Sequence, residues 1–211
     1  KEDDVVLIHS NMDELAKCDI GPKEIVYELI NKLCPKGTLV APTFPLYPDN
    51  KNNINRITKD MTNVKYSYDL KRSLPWTGLL GLILMKVPGS RRSIHPLNTL
   101  VSYGKSTNEI FRNESYSSLD LPCGINSSWS SLLKLNAKII CIGVDMAHSL
   151  TMIHVAEDCY EDTWPVKNWY RKRVFDVIDG DTSKTVYVRE RHPKWSMSIA
   201  QERLNLDLYK D

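Results

Sequence analysis

Two short apolar runs, Val5 to Ile8 (VVLI) and Thr38 to Ala41 (TLVA), enclose a segment with helical spacing, and that order confines the chain to few architectures. Between the runs Ile25, Leu29 and Leu33 recur every four residues, with Val26 and Ile30 beside them. One apolar stripe therefore runs down a helix that opens at Gly21-Pro22, where proline suits the first turn, and stops near Pro35. Gly37 breaks the pattern before the second strand, which runs on into Pro42-Thr43-Phe44. Strand, helix, strand in this order predicts a layered α/β domain.

The remaining elements extend that scheme. A helix is expected over Thr77 to Lys86, ended by Pro88-Gly89, and Pro96 keeps Arg91 to Pro96 (RRSIHP) from being helical throughout. Lys138 to Val144 (KIICIGV) is a continuous apolar run, the pattern of a strand covered on both faces. Thr151 to Asp158 (TMIHVAED) reads as a helix. Trp169 to Arg191 alternates around Asp179-Gly180-Asp181, a hairpin whose turn is expected to exceed the minimal two residues. The polar stretch Asp49 to Thr62 reads as a surface loop or lid. The expectation is one domain over residues 1–211, a three-layer α/β/α arrangement with a central mixed sheet and a C-terminal β-hairpin at about 169–191.

Composition narrows the function classes. A chain of 211 residues with 42% hydrophobic and 26% charged content is globular, and folding at this size buries roughly 70% of the unfolded surface without disulfide or metal staples. Lys and Arg number 28 against 26 Asp and Glu, a net charge of +2, which argues against a dedicated nucleic-acid binder. The longest apolar stretch, Gly78 to Met85, falls well short of the roughly 18 residues a membrane span needs, so no membrane association is expected. Charges at the start (KEDD) stand where a signal peptide would carry its apolar core. Cys18, Cys34, Cys123, Cys141 and Cys159 are widely spaced without a CxxC pair, as reduced thiols of a cytoplasmic protein would be.

Chemistry concentrates in Thr151 to Asp158. At about 3.6 residues per turn, Thr151, His154, Glu157 and Asp158 share one side, while Met152, Ile153, Val155 and Ala156 cover the rest. Glu157 lies one turn from His154, where a carboxylate can orient an imidazole as a general base. Spacing alone favours the plainer alternative, a surface helix whose polar face meets water. His95 sits in a constrained loop after Arg91 and Arg92, which read equally as phosphate donors or as a solvated basic loop. His9-Ser10-Asn11 closes a strand, where ligands of layered α/β domains tend to bind. The hairpin arms carry Arg171, Arg173, Arg189 and Arg191, either a phosphate-binding cluster or charges that keep a strand edge soluble. An HxxE pair without HExxH is a weak zinc signal, and no GxSxG, GxGxxG or GxxxxGK[ST] occurs. No metal is expected.

Taken in order, VVLIHSNMDEL, CPKGTLVAPTF, SLPWTGLLGLILMKVPGSRRSIHPLNTLVSYGK, GINSSWSSLLKLNAKIICIGV and SLTMIHVAED resemble the aminoglycoside 3-N-acetyltransferase family of coenzyme A-dependent enzymes. The resemblance covers roughly Val5 to Asp158 and rests on an HSS-like strand end, a GTLVMPTF-like strand, an RSxHPxxS-like loop and a TxxHxxE-like helix. It reverses the balance on the His154 helix.

What the resemblance implies is transfer of an acyl group from acetyl-CoA, or another short acyl-CoA, to an amine on a sugar by direct attack. Carried over by motif, His154 and Glu157 are the base and its partner, and His95 a further active-site residue. Ser10, Asn11, Arg92, Ser93 and Ser128 are expected at the cofactor, and Thr151, Asp158, Asp69 and Arg189 at the acceptor. Two positions depart from the pattern: Asn11 replaces the second Ser of HSS, and Thr99 the Ser of HPxxS. The chain is also short for the family, so an acceptor smaller than an antibiotic is expected. The preferred acceptor is a nucleotide-linked 3-amino sugar for bacterial surface polysaccharide, its diphosphate meeting Arg189. An aminoglycoside antibiotic is the enzyme alternative, and a non-catalytic coenzyme A or sugar-nucleotide binding protein the alternative of another class. An exposed hairpin edge leaves homodimer formation open.

Overall fold

The computed structural model describes residues 1, 3–17, 19–48, 61, 63–160 and 168–193. Its first sheet forms around β1 (Val5–Ser10), which pairs in parallel with β2 (Thr38–Pro42) on one side and with a strand at Lys138–Ile142 on the other. Beyond β2 the sheet continues antiparallel through Leu100–Gly104 to the two-residue strand Arg91–Arg92, so it is mixed.

Pleating explains the layers, because successive side chains of a strand point to opposite faces. Val6 and Ile8 of β1, with Leu39 and Ala41 of β2, meet Val26 and Leu33 of α1 (Pro22–Leu33) and Leu80 and Leu84 of α2 (Leu79–Leu84). The alternate residues Val5, Leu7 and Val40 meet Trp129 and Leu132 of α3 (Ser128–Lys134) and Val155 of α4 (Ile153–Cys159). Helices thus cover both faces, as the strand, helix, strand pattern requires. The stripe read from Ile25, Leu29 and Leu33 is the face by which α1 packs on that sheet.

The structure departs from expectation in three places. The hairpin, β7 (Tyr170–Asp179) and β8 (Thr182–Arg191), is not a bare excursion. It takes on β3 (Lys65–Asp69) in parallel and becomes a second, three-stranded sheet with its own core of Tyr47, Tyr68, Phe175, Val177, Val186 and Val188. Its turn is the minimal one: Asp179 pairs with Thr182 across Gly180-Asp181, and Gly180 takes φ +60° while Asp181 is not left-handed, the pattern of a type II′ turn. Lys138–Ile142 is not covered on both faces either. It lies at the edge of the first sheet, with Ile140 39% exposed, and β1 and β2 hold the fully buried positions instead. The expected loop Asp49 to Thr62 falls outside the described residues except for Met61, which is buried. No helix among the described residues is long and apolar enough to cross a membrane.

One glycine fixes how closely α2 approaches the sheet. A Cβ on Gly81 would stand 2.4 Å from the Pro42 carbonyl oxygen and 2.9 Å from Thr43 Cγ2, distances no real Cβ tolerates. Backbone and not a flexible side chain is in the way, so the helix must move. Gly81→Ala is expected to destabilise the fold by about 1–3 kcal/mol despite alanine's better helix propensity, read as a lowered urea midpoint at unchanged m-value.

Candidate active site

The strand ends of the first sheet and the hairpin of the second face each other across a cleft of about 380 Å³. Its polar floor is His154, Glu157 and Asp158 from α4 with Arg173, Glu190 and Arg191 from the hairpin. Phe44, Tyr47, Trp76 and Leu97 supply apolar wall, and Trp76 is 58% exposed in an edge-on contact with Phe44.

His154 and Glu157 meet as the one-turn spacing implies: the imidazole Nδ1 lies 2.6 Å from Glu157 Oε2. Glu157 is only 6% exposed, so the polar stripe of α4 does not face water. Burial raises the Glu157 pKa, but the hydrogen bond and charge of His154 and the charge of Arg191 outweigh it, and the net effect lowers it. An ionised carboxylate can only accept, so Nδ1 carries the proton that faces it, and Nε2 is the ring nitrogen at which a proton can be gained or lost. Asp158 is also buried. Its two oxygens accept from the Tyr170 hydroxyl at 2.8 Å and the Cys123 N–H at 3.0 Å, and burial still raises its pKa. Thr151 precedes the helix, its carbonyl accepting the His154 N–H at 3.0 Å.

Several residues expected at ligands are instead committed to the protein. The Arg92 guanidinium is buried and donates to the Thr43 carbonyl at 2.6 Å, the Ser73 carbonyl at 2.8 Å, and Leu70 O and Thr43 Oγ1 at 3.2 Å, so it has no fork left for a phosphate. Ser93 is fully buried and donates to Glu114 at 2.7 Å, and Ser128, also buried, bonds the same carboxylate. His95 is held at both ring nitrogens. Nδ1 accepts the Leu97 N–H at 3.1 Å and Nε2 donates to the Asp120 carbonyl at 3.1 Å, so both ring nitrogens clasp neighbouring loop backbone. Asp69 caps a turn, its Oδ1 accepting the N–H groups of Lys71 and Arg72, and is not among the cleft residues. Arg189 forms a forked pair with Asp120, at 2.7 Å through Nε and through Nη2, and faces a neighbouring hollow. Thr99 turns its hydroxyl onto the Thr43 carbonyl. Asn11 spends Oδ1 on the Asp13 N–H at 2.8 Å. Ser10 remains half-buried at the end of β1 beside Gly78, where a Cβ would approach its Oγ to 3.7 Å.

Arg191, which the sequence offers only as one of four hairpin arginines of a phosphate cluster with Arg189 preferred, stands at the His154–Glu157 pair instead. Its Nη1 lies 2.6 Å from Glu157 Oε2, and its two terminal nitrogens lie 3.1 Å from the two ring nitrogens of His154. Strand alternation places Arg189 and Arg191 on the same face, so the signal for an arginine was present but not the signal for which one reaches the base.

A family model described as aminoglycoside 3-N-acetyltransferase matches residues 7–206. The chain belongs to the aminoglycoside 3-N-acetyltransferase family. With it comes membership among the N-acyltransferases that draw their acyl group from coenzyme A. No curated protein matches significantly in a direct comparison. Solved structures of similar fold include AAC-IIIb in a binary complex with CoASH, at 18% identity and TM-score 0.76, over 98% of this chain and 77% of that one. The YokD protein from Bacillus subtilis is 20% identical at TM-score 0.70, over 99% and 76% of the two chains. Sisomicin-bound AAC-VIa is 17% identical at TM-score 0.73, over 99% and 80%.

The clasp assigned to His95 has a thermodynamic signature. Burial depresses its pKa to about 4 against about 6.5 when unfolded. The unfolded chain therefore binds a proton that the folded one refuses between those values, and unfolding free energy rises with pH across that window. The His95 contribution is complete above pH about 6.5 and lost on acidifying toward 4. Urea midpoints measured from pH 7 to 4 are expected to show the gap between wild type and His95→Asn narrowing as pH falls; a gap constant with pH would put the neutral buried imidazole in error.

Proposed function

We propose that this chain N-acylates an amine of an aminoglycoside-type amino sugar, with acetyl-CoA or another short acyl-CoA as donor and His154 as general base. The observation that carries the reading is the His154–Glu157 pair, closed at 2.6 Å over a buried carboxylate and opening on a cleft large enough for a sugar ring. Family membership supports the donor, and the sisomicin in the AAC-VIa neighbour supports the acceptor class. A nucleotide-linked acceptor loses its main argument, because the guanidinium meant for its diphosphate is paired with Asp120.

The chemistry asks three things of the chain. A sugar ammonium must shed a proton before its nitrogen can attack, and Nε2 of His154 is the free basic site once Glu157 has fixed the tautomer. That first proton passes from Nε2 to solvent; as the nitrogen then bonds to the acyl carbon, one of its two N–H protons passes to Nε2, the C–S bond breaks, and the sulfur leaves with the bonding pair and takes that proton from Nε2. Glu157 then stabilises the imidazolium. The exposed Trp76, backed edge-on by Phe44, offers an apolar ring face for a sugar to pack against. On the donor side we place the acyl-CoA at Ser10, half-buried at the end of β1 beside Gly78, which carries no side chain.

Thiol release from acetyl-CoA, measured against aminoglycosides, free amino sugars and nucleotide-linked amino sugars, is expected only with the aminoglycosides and close amino-sugar analogues. His154→Ala should lower kcat by about 10²- to 10⁴-fold with little change in acetyl-CoA affinity. Release confined to nucleotide-linked acceptors would overturn the acceptor assignment, and a His154→Ala variant at wild-type turnover would overturn the base.

A further inference from the structure

Arg191 has no role in the reaction as described, yet it touches both members of the base pair. Glu157 Oε2 receives two bonds, from His154 Nδ1 and from Arg191 Nη1, each at 2.6 Å. The same guanidinium runs along the imidazole, with Nη2 at 3.1 Å from Nε2. A guanidinium has donors only and keeps its charge at any working pH. Nη1 stands at the same 3.1 Å from Nδ1, so the guanidinium lies along the ring, and of the two contacts only that of Nη2 meets a nitrogen able to offer a lone pair once Nδ1 has given its proton to Glu157.

We infer that Arg191 is the positioning residue of the general base: it holds the ring against Glu157 with Nη2 on Nε2, and that contact and the arrival of a proton at Nε2 exclude each other. The inference rests on His154 as base. Two opposed influences act on the ring. Glu157, ionised and at hydrogen-bond distance, favours the imidazolium, and Arg191 opposes a second positive charge beside its own. The other charged groups near the ring are Asp158 on the same helix and, from the hairpin, Glu190 with the two arginines that share its Oε1, Arg173 at 2.7 Å and Arg171 at 2.6 Å. Buried Cys123 adds no charge, since burial raises its thiol pKa well above the ordinary value.

The consequence for turnover is a swap. In the acceptor-free protein the base is capped by Arg191, so water gains no hydrogen bond to Nε2. An incoming amine displaces Nη2, while Nη1 stays on Glu157 and keeps the carboxylate in place. When Nε2 takes the proton, repulsion keeps the guanidinium away until the proton is passed on, and its return resets the tautomer.

The test follows the His154 imidazole by NMR across pH in the full chain, its resonance assigned by disappearance in His154→Ala. Arg191→Gln keeps a donor but removes the charge and leaves the pull of Glu157 unopposed, so the titration midpoint is expected to rise by about one pH unit or more. Arg191→Lys keeps the charge without the fork and should rise by less. The acid limb of kcat/KM, with whichever amine supports thiol release, should move with the midpoint. A midpoint unchanged in a folded Arg191→Gln would overturn the inference. A raised midpoint beside full turnover in His154→Ala would support the Arg191 pairing and discard the base, so the two failures read differently.

Discussion

The two sheets share no strand, and the buried guanidinium of Arg92 reaches across the boundary between them. Arg92 belongs to the edge of the first sheet, yet it donates to Leu70 and Ser73 just beyond β3 and to Thr43 at the end of β2. It also lies over the ring of Tyr68, the buried residue of β3. Tyr68 in turn donates its hydroxyl to the Ser93 carbonyl at 2.6 Å. A cation withdrawn from water is tolerable only when its donors are met, and here four oxygens meet them. Burial lowers the Arg92 pKa from its ordinary value, but not far enough to change its charge at any ordinary pH.

That constraint explains why the RSxHP segment is crowded with polar residues whose partners lie within the protein. Ser93 and Ile94 hand a hydroxyl and an N–H to Glu114, and His95 clasps Leu97 and Asp120. The segment is a buckle between sheet and loop. From sequence alone, two arginines beside a histidine look like a phosphate site, because a basic motif carries no record of whether its donors will meet solvent or backbone. Burial decides that, and burial is a property of the whole fold.

What was legible was whatever depends on periodicity. The alternation in β1, the four-residue stripe of α1 and the His154-to-Glu157 spacing are local, and each forms as its pattern dictates. What was hidden depends on partners distant in sequence. Lys65–Asp69 (KYSYD) has only two aromatic residues to mark it and becomes a strand because the hairpin supplies an edge with matching aromatic faces, Tyr66 and Tyr47 against Phe175. KIICI is as apolar as β1 but ends at the margin, since its place in the strand order comes from the crossover and not from its composition.

The same logic bears on why the His154–Glu157 pair takes a third partner from another part of the fold. A His-Glu pair on one helix is self-sufficient for orientation, and adding an arginine from a hairpin more than thirty residues later makes its state conditional on the second sheet standing in place. The second sheet is held by Arg92 at one end and by the Glu157–Arg191 contact at the other. Glu157 is thus asked to do two things with one oxygen: fix the imidazole tautomer and anchor the hairpin. A carboxylate can do both, having lone pairs enough, provided it stays ionised, and the net lowering of its pKa satisfies that condition. Proton transfer at the cleft and the closure of the two sheets are therefore coupled through a single oxygen atom, and a change that protonates or removes it must loosen both.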